Sequence, residues 1–302
     1  MSTTNISNIL DKTVEKLSSA DSCRNLYHEY QAGDPVPSGQ TVQKIIEMFR
    51  TVLFPGFYGI STVNDRMLKF QVRSTLENIA ALLSKEIQAS LCFSNNYSTD
   101  NWDALGEKAS EITLGLIEKL PLIRMQLAAD VEAAYDGDPA ADSYSEVICC
   151  YPVIRAITNY RIAHELYKAD VPLIPRMLTE LAHSDTGMDI HPAAQIGHHF
   201  TIDHGTGVVV GATCIIGNNV KLYQGVTLGA KSFPLDENGN PIKGIPRHPI
   251  LEDNVIVYSN ATILGRVRIG HDAVIGGNIW VTEDVKPGTK LVQRKQNYNG
   301  RI

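Results

Sequence analysis

The sequence predicts an α+β fold, an all-α N-terminal region followed by a parallel β-helix of six-residue repeats with one protruding loop. Three observations predict it. First, aliphatic residues recur every six positions at Ile190, Ile196 and Ile202, and again at Val210, Ile216, Leu222 and Leu228. After an interruption the period resumes at Leu251, Val257, Ile263, Ile269, Ile275 and Val281. A helix places apolar residues at i, i+3, i+4 and i+7, and a strand alternates, so a period of six fits neither. It fits a β-helix in which each repeat contributes one short strand and one turn. Second, small or apolar residues stand four places after many of these positions (Ala194, Cys214, Val220, Val226, Val255, Ala261, Val267, Ala273), and glycine directly follows many of them (Gly197, Gly211, Gly217, Gly229, Gly270, Gly276). Those glycines are expected to permit the turns. Third, the chain before Asp189 carries helical apolar spacing instead.

In chain order, residues 1–70 read as helix and loop, with a helix over Val42 to Leu53 that Pro55-Gly56 ends. Thr75 to Phe93 is amphipathic, with Leu76, Ile79, Leu83, Ile87 and Leu91 on one face. Asp103 to Leu120 and Leu122 to Ala134 read as two further helices, and Asp136 to Pro139 as a loop. Tyr144 to Tyr167 is helical with a break near Pro152, and Arg176 to His183 makes a short last helix. The expected domains are 1–185 (helical, with oligomer contacts), 186–290 (β-helix) and a polar tail over 291–302. Around Gly205-Thr206-Gly207 the period gains two residues, which predicts a bulged coil. Ala230 to Pro249, rich in Pro, Gly, Asn and Lys, predicts the protruding loop, and long loops on regular scaffolds tend to carry function.

Bulk properties exclude several classes. A net charge of −6 does not suit a nucleic-acid or anionic-membrane binder. Five cysteines (Cys23, Cys92, Cys149, Cys150, Cys214) without metal-ligand spacing point to reduced thiols and a cytoplasmic protein. Met1 to Leu10 lacks the basic flank and apolar core of a signal peptide. The longest apolar run, Val147 to Ile154, is too short to span a bilayer.

Catalytic residue types concentrate in Asp189-Ile190-His191-Pro192, Asp203-His204-Gly205-Thr206-Gly207 and Arg247-His248-Pro249. A histidine can take a proton from a hydroxyl near neutral pH, and a carboxylate can fix its tautomer. A guanidinium forks a carboxylate. Each residue taken alone also has an ordinary role: Asp189 as a turn cap, His191 as a turn residue, His198 and His199 as solvated corners, Arg247 as a surface charge. Whether Asp189 meets His204 depends on how the coils converge.

Together with Asp138-Pro139-Ala140, Asn159-Tyr160-Arg161-Ile162-Ala163-His164 and Val226-Thr227-Leu228-Gly229, these stretches resemble the serine O-acetyltransferase family over roughly residues 130–290. The resemblance implies a left-handed β-helix and transfer of acetyl from acetyl-CoA, as co-substrate, to the hydroxyl of L-serine, without a metal or an acyl-enzyme. It implies His204 as general base, Asp189 as its orienting partner, Asp138 and Asp203 on the serine ammonium, and Arg247 with His248 on the carboxylate. Acetyl-CoA would run near Gly229, Ala230 and Lys231. The family's site lies between subunits of a trimer, alone or paired into a dimer of trimers. L-cysteine inhibits by feedback, and a terminal isoleucine, here Ile302, docks into O-acetylserine sulfhydrylase. The chain departs from the pattern at Ala230, in the length of the loop, and at Leu291 to Lys295. Other readings are a hexapeptide acyltransferase acting on a sugar, a zinc hydratase using His199 and His204, and a non-catalytic scaffold.

Overall fold

The computed structural model describes residues 3–19, 36–59, 65–95, 101–232 and 234–293. Helix α1 (Thr3–Ser18) belongs to one compact unit and everything from Val36 onward to a second. The apolar residues of α1 (Ile6, Ile9, Leu10, Val14, Leu17) recur at helical spacing and are exposed.

The second unit begins with α2 (Gly39–Leu53), whose N-cap Ser38 accepts the Thr41 N–H. Val42, Ile45, Ile46, Phe49 and Leu53 form its buried stripe. Helix α3 (Asp65–Asn95) starts ten residues before the sequence suggests. Helix α4 (Trp102–Gly137) joins what the sequence reads as two helices and takes in the first two residues of the expected loop, ending at Gly137. Pro121 lies inside it, removing one N–H from the ladder. The helix continues because Leu116, Leu120, Ile123 and Leu127 bury one unbroken stripe on either side of the proline. The predicted break does occur at Tyr151-Pro152, between α5 (Tyr144–Cys150) and α6 (Pro152–Lys168), where proline takes the first helical position. Helix α7 (Ile174–Thr186) ends at Gly187, in the left-handed region with φ 73°.

Among the described residues, fourteen short parallel strands follow. They are β1 (Asp189–Ile190), β2 (Gln195–Ile196), β3 (Thr201–Asp203), β4 (Val209–Val210), β5 (Ile215–Ile216), β6 (Lys221–Tyr223) and β7 (Thr227–Gly229), then β8 (Ile250–Leu251), β9 (Ile256–Val257), β10 (Thr262–Leu264), β11 (Arg268–Ile269), β12 (Val274–Ile275), β13 (Trp280–Val281) and β14 (Lys290–Leu291). They form three sheets, ordered β1-β4-β7-β10-β13, β2-β5-β8-β11 and β3-β6-β9-β12-β14, so three successive strands make one turn of a solenoid of about five turns. The predicted period-six residues line its interior: Ile190, Val210, Leu228, Ile263 and Val281 stack in register along the first sheet. Burying each contributes about 1.5–3 kcal/mol before ordering costs. The first coil is the bulged one. Asp189 pairs with Val209, twenty positions on, whereas Val209 pairs with Thr227 after eighteen. Residues 230–249 leave the solenoid between β7 and β8 as predicted, and Leu235 and Pro241 bridge across the loop's tip. Strand β14 places Leu291, expected in the tail, within the solenoid beside Ile275.

The glycines of the repeat serve a different end from the one expected. Gly197, Gly217 and Gly270 are not left-handed. A Cβ there would come within 2.5–2.8 Å of the next coil's backbone (Gly217 O, Asp253 N, Pro287 N). They allow coils to stack at backbone distance. The left-handed turn is made two residues later, by His199, Asn219 and Asp272, and at the equivalent corner after Glu252 by Asn254, at φ 56–61°. Asn219 Nδ2 donates to Asn254, and Asn254 Nδ2 to Asp272, forming a side-chain ladder up that corner.

Helix α6 fastens helices to solenoid. Asn159 donates to Leu178 O and accepts from Arg50, and Tyr160 Oη donates to Ala194 O. Buried Arg161 forks Asp130 through Nε at 2.6 Å and Nη2 at 2.9 Å, and also reaches Gly197 O. The same carboxylate accepts the Phe200 N–H at 3.0 Å, so α4, α6 and the first coil share one satisfied buried charge pair. His164 Nδ1 lies 2.8 Å from Pro192 O. Among the described residues no helix is long and apolar enough to cross a membrane.

Candidate active site

The expected site residues gather in two groups of opposite charge. The first lies where the C-terminus of α4 meets the bulged corner after β3. Asp138 follows Gly137, the last residue of α4. Its carboxylate accepts the Tyr151 hydroxyl at 2.5 Å and the Ala140 N–H at 2.9 Å. The Tyr151 hydrogen bond first, then the Ala140 amide, hold this carboxyl below the usual carboxylate range, and Lys221 and His204 add attraction. The same bond pushes the Tyr151 phenol up. Asp203 ends β3, with Oδ2 3.2 Å from Lys221 Nζ and Oδ1 3.8 Å from His204 Nε2. His204 sits in the left-handed region at φ 59°, and its side chain is 74 % exposed, projecting from the corner. Gly205 is in the left-handed region at φ 84° and packs against the Met188 side chain, which suits glycine, and Gly207 donates its N–H to Gly187 O. The two extra residues of the first coil thus build the platform that carries His204.

The second group lies at the corner from which the loop departs and returns. Arg247 and His248 stand near its end, just before Pro249, and Thr213 on the coil beneath holds both. The Thr213 hydroxyl accepts the Arg247 N–H at 2.9 Å and the His248 N–H at 3.1 Å, and donates to His248 Nδ1 at 2.8 Å. Nδ1 also takes the Thr213 N–H at 3.1 Å, which assigns the ring proton to Nε2. The ring lies against Gly211, where a Cβ would come within 2.0 Å of it. Burial, then Arg247, His191 and Arg266, lower the His248 pKa to about 4, so it is a neutral Nε2–H donor at physiological pH. Arg266 donates to Thr213 O and His248 O and braces the same turn. His191 is a turn residue, as its position before Pro192 suggests. Its Nδ1 accepts the Ala193 N–H, and burial together with Arg176 keeps its pKa low. Asp189 points outward from β1, 3.6 Å from Arg176, which also pairs with Glu180.

Within one chain, Asp138, Asp203 and His204 are brought together, and the electrostatics of His191 tie it to Asp189, Arg247 and His248. The recorded ion pair of Asp189 is with Arg176, and that of His204 is with Asp203. Of the residues expected near acetyl-CoA, Gly229 ends β7 and its carbonyl accepts the Gly265 N–H, and the Lys231 side chain lies over Gly265. Ala230 begins the loop beside them. Among the described residues, the trio with donor atoms within 4.8 Å of one another is Glu180, His183 and Asp189, where Arg176 already pairs with both carboxylates. Sequence reasoning missed Tyr151, Lys221, Thr213 and Arg266. Their partners lie 13 to 84 positions away, and no local pattern marks them.

A parallel β-solenoid fed by a helical region, with histidine, carboxylates and a guanidinium at its corners, defines an acyltransferase of the hexapeptide-repeat class. No protein-family model matches the chain. A plasmid-borne serine acetyltransferase of Synechococcus elongatus is 44% identical over 290 residues, covering 94% of this chain and 90% of that protein. The serine acetyltransferase of Bacillus licheniformis is 46% identical over 166 residues, 55% of this chain and 73% of that protein. Among solved structures, serine acetyltransferase 1 of Entamoeba histolytica in complex with L-cysteine superposes with a TM-score of 0.72 and 34% identity, covering 82% of this chain and 86% of that chain. The chain belongs to the serine acetyltransferase family. Its reaction is serine O-acetylation, a step of cysteine biosynthesis, which excludes the sugar-acceptor, zinc-hydratase and scaffold readings.

Proposed function

We propose that the two charged groups are the halves of one amino-acid site, in which acetyl passes directly from acetyl-CoA to L-serine. The observation that carries this reading is their opposite charge. The acidic group (Asp138, Asp203) suits the serine ammonium, and the Arg247 guanidinium with the neutral His248 Nε2–H suits its carboxylate. His204 takes the proton of the serine hydroxyl as the oxygen attacks the thioester carbonyl, and Asp189 steadies the imidazolium that forms. The tetrahedral intermediate is stabilised by backbone N–H groups. It collapses with breakage of the C–S bond, and His204 returns the proton to the departing thiolate. Acetyl-CoA approaches along the flank of Gly229, Ala230 and Lys231.

Because the two halves sit on different corners of one chain, they close into a site across a subunit boundary, in a homotrimer or a pair of trimers. A soybean serine acetyltransferase complexed with serine (TM-score 0.53, 30% identity) and the cysteine-bound Entamoeba enzyme show that both amino acids bind proteins of this family. L-cysteine shares the ammonium and carboxylate of serine, so it competes for these same groups as a feedback inhibitor. The cytoplasmic location follows from the cysteine usage argued above. Docking of Ile302 into a sulfhydrylase is part of the same proposal, and residues 294–302 lie outside the described residues.

The test follows free thiol released from acetyl-CoA by the purified protein with L-serine, beside His204→Ala. A serine-dependent rate that the variant loses by three orders of magnitude or more supports the reading. A variant that keeps its rate removes His204 as the base.

A further inference from the structure

Lys221 lies between the Asp203 carboxylate and the Gly137 carbonyl that precedes Asp138, and no part of the mechanism above uses it. It stands on the outer face of β6, and its side chain is 14% exposed. Its ammonium is held on three sides. Nζ donates to the carbonyl of Gly137 at 2.5 Å, lies 3.2 Å from Asp203 Oδ2 and sits 4.5 Å from the centroid of the Tyr223 ring. The Tyr223 ring is itself stacked on Tyr258, with centroids 4.9 Å apart. These contacts join two parts of the fold that are 66 residues apart in sequence, the end of α4, which presents Asp138, and the end of β3, which presents Asp203 and His204. Gly137 is fitted to this bond: a Cβ there would come within 3.2 Å of Lys221 Nζ, although the backbone is not in the glycine-only region. Burial alone would lower the Lys221 pKa, but hydrogen bonds to Tyr223 and Asp203 outweigh it and hold the ammonium charged.

We propose that Lys221 is the positioning residue of the acceptor pocket: it bolts Gly137 to Asp203 and so fixes the spacing at which Asp138 and Asp203 receive the substrate ammonium. This rests on the reading that those two carboxylates bind that ammonium. The carboxylates carry two negative charges and Lys221 returns one positive, so a single ammonium neutralises the pocket. Acceptors with one α-ammonium and an uncharged side chain are therefore favoured over diamino acids.

The experiment uses the full-length protein and initial rates against L-serine and acetyl-CoA for wild type, Lys221→Met, Lys221→Arg and Gly137→Ala. Lys221→Met raises the KM for serine about tenfold, the worth of one charge-assisted hydrogen bond, and leaves the KM for acetyl-CoA within twofold. Lys221→Arg recovers part of the loss. Gly137→Ala keeps the lysine but crowds its ammonium, and raises the serine KM about threefold. An unchanged or lowered serine KM in Lys221→Met overturns the proposal, as does an equal rise in both KM values, which would mark general loosening. Asp138→Asn and Asp203→Asn run alongside. If they leave the serine KM unchanged, the ammonium assignment fails. If they raise it and Lys221→Met does not, only the role of Lys221 fails.

Discussion

Thr213→Val tests how far the proposed carboxylate-binding half of the site depends on one hydroxyl. Valine replaces threonine with almost the same shape, so packing is conserved while three hydrogen bonds disappear. Two are the amide donors of Arg247 and His248, at 2.9 and 3.1 Å, and the third is the bond to His248 Nδ1 at 2.8 Å. Each orphaned, partly buried amide costs about 1 kcal/mol, the low end for such groups, so folding loses about 2 kcal/mol. The larger effect is on function. The amides fix the backbone that aims the Arg247 guanidinium, and the hydroxyl helps fix the imidazole tautomer. Losing that aim raises the serine KM roughly 10- to 100-fold, equivalent to about 1.4–2.8 kcal/mol of binding. Acetyl-CoA KM stays within about twofold. Thr213→Ser keeps the hydroxyl and stays near wild type. Steady-state kinetics with each substrate varied in turn reads the split. A Val variant with wild-type serine KM, or one whose defect appears in acetyl-CoA KM, refutes the account of Thr213 as the anchor of the carboxylate half.

Two further outcomes follow from the solenoid and its buried histidine. His248 is held near a pKa of about 4 against an ordinary 6.5, so between those values the unfolded chain binds a proton that the folded chain does not. Stability falls as pH drops through that window, by about 1 kcal/mol between pH 6.5 and 5 once residual solvent is allowed for, and His248→Gln flattens this part of the profile in chemical unfolding. In the coils, Gly217→Ala drives a Cβ to 2.8 Å from the Asp253 amide and lowers the melting temperature, whereas Asn219→Gly, at a left-handed corner, leaves it nearly unchanged. The opposite ordering would restore the view that the Ile-Gly glycines make the turns.

What the sequence revealed depended on whether the residues concerned had a repeat or a local pattern to betray them. The period of six exposed the solenoid because its narrow core accepts one aliphatic residue per strand, and each slip in the count had a visible counterpart. The two-residue gain near Gly205 is the His204 corner, and the break after Gly229 is the loop that returns Arg247 and His248. Helix α4 was misjudged at Pro121 because local propensity favours a stop there. Burial of Leu116, Leu120, Ile123 and Leu127 on a common face outweighs one missing hydrogen bond. The repeat's glycines were identified correctly, but their purpose was not, since close approach between coils is a property of neighbours 17 to 36 residues away.

The site divides along the same line. His204, Asp203, Asp138, Arg247 and His248 were visible as residue types in a resembling pattern. Tyr151, Thr213 and Lys221, which set their positions, were not, because a tyrosine before a proline, a threonine in a turn and an outward lysine in a strand are all unremarked in isolation. The run Asn159 to His164 shows the difference most clearly. As sequence it was only part of a likeness. In the fold, Asn159, Tyr160, Arg161 and His164 contact α2 and α7, Ala194, Asp130 with Gly197, and Pro192 in turn. One helix thereby holds the first coil against α4. Because α4 ends at Gly137 and the first coil ends at Asp203, that clamp and the Lys221 bond act on the same gap from its two sides, and the spacing of the acidic pair is set by both.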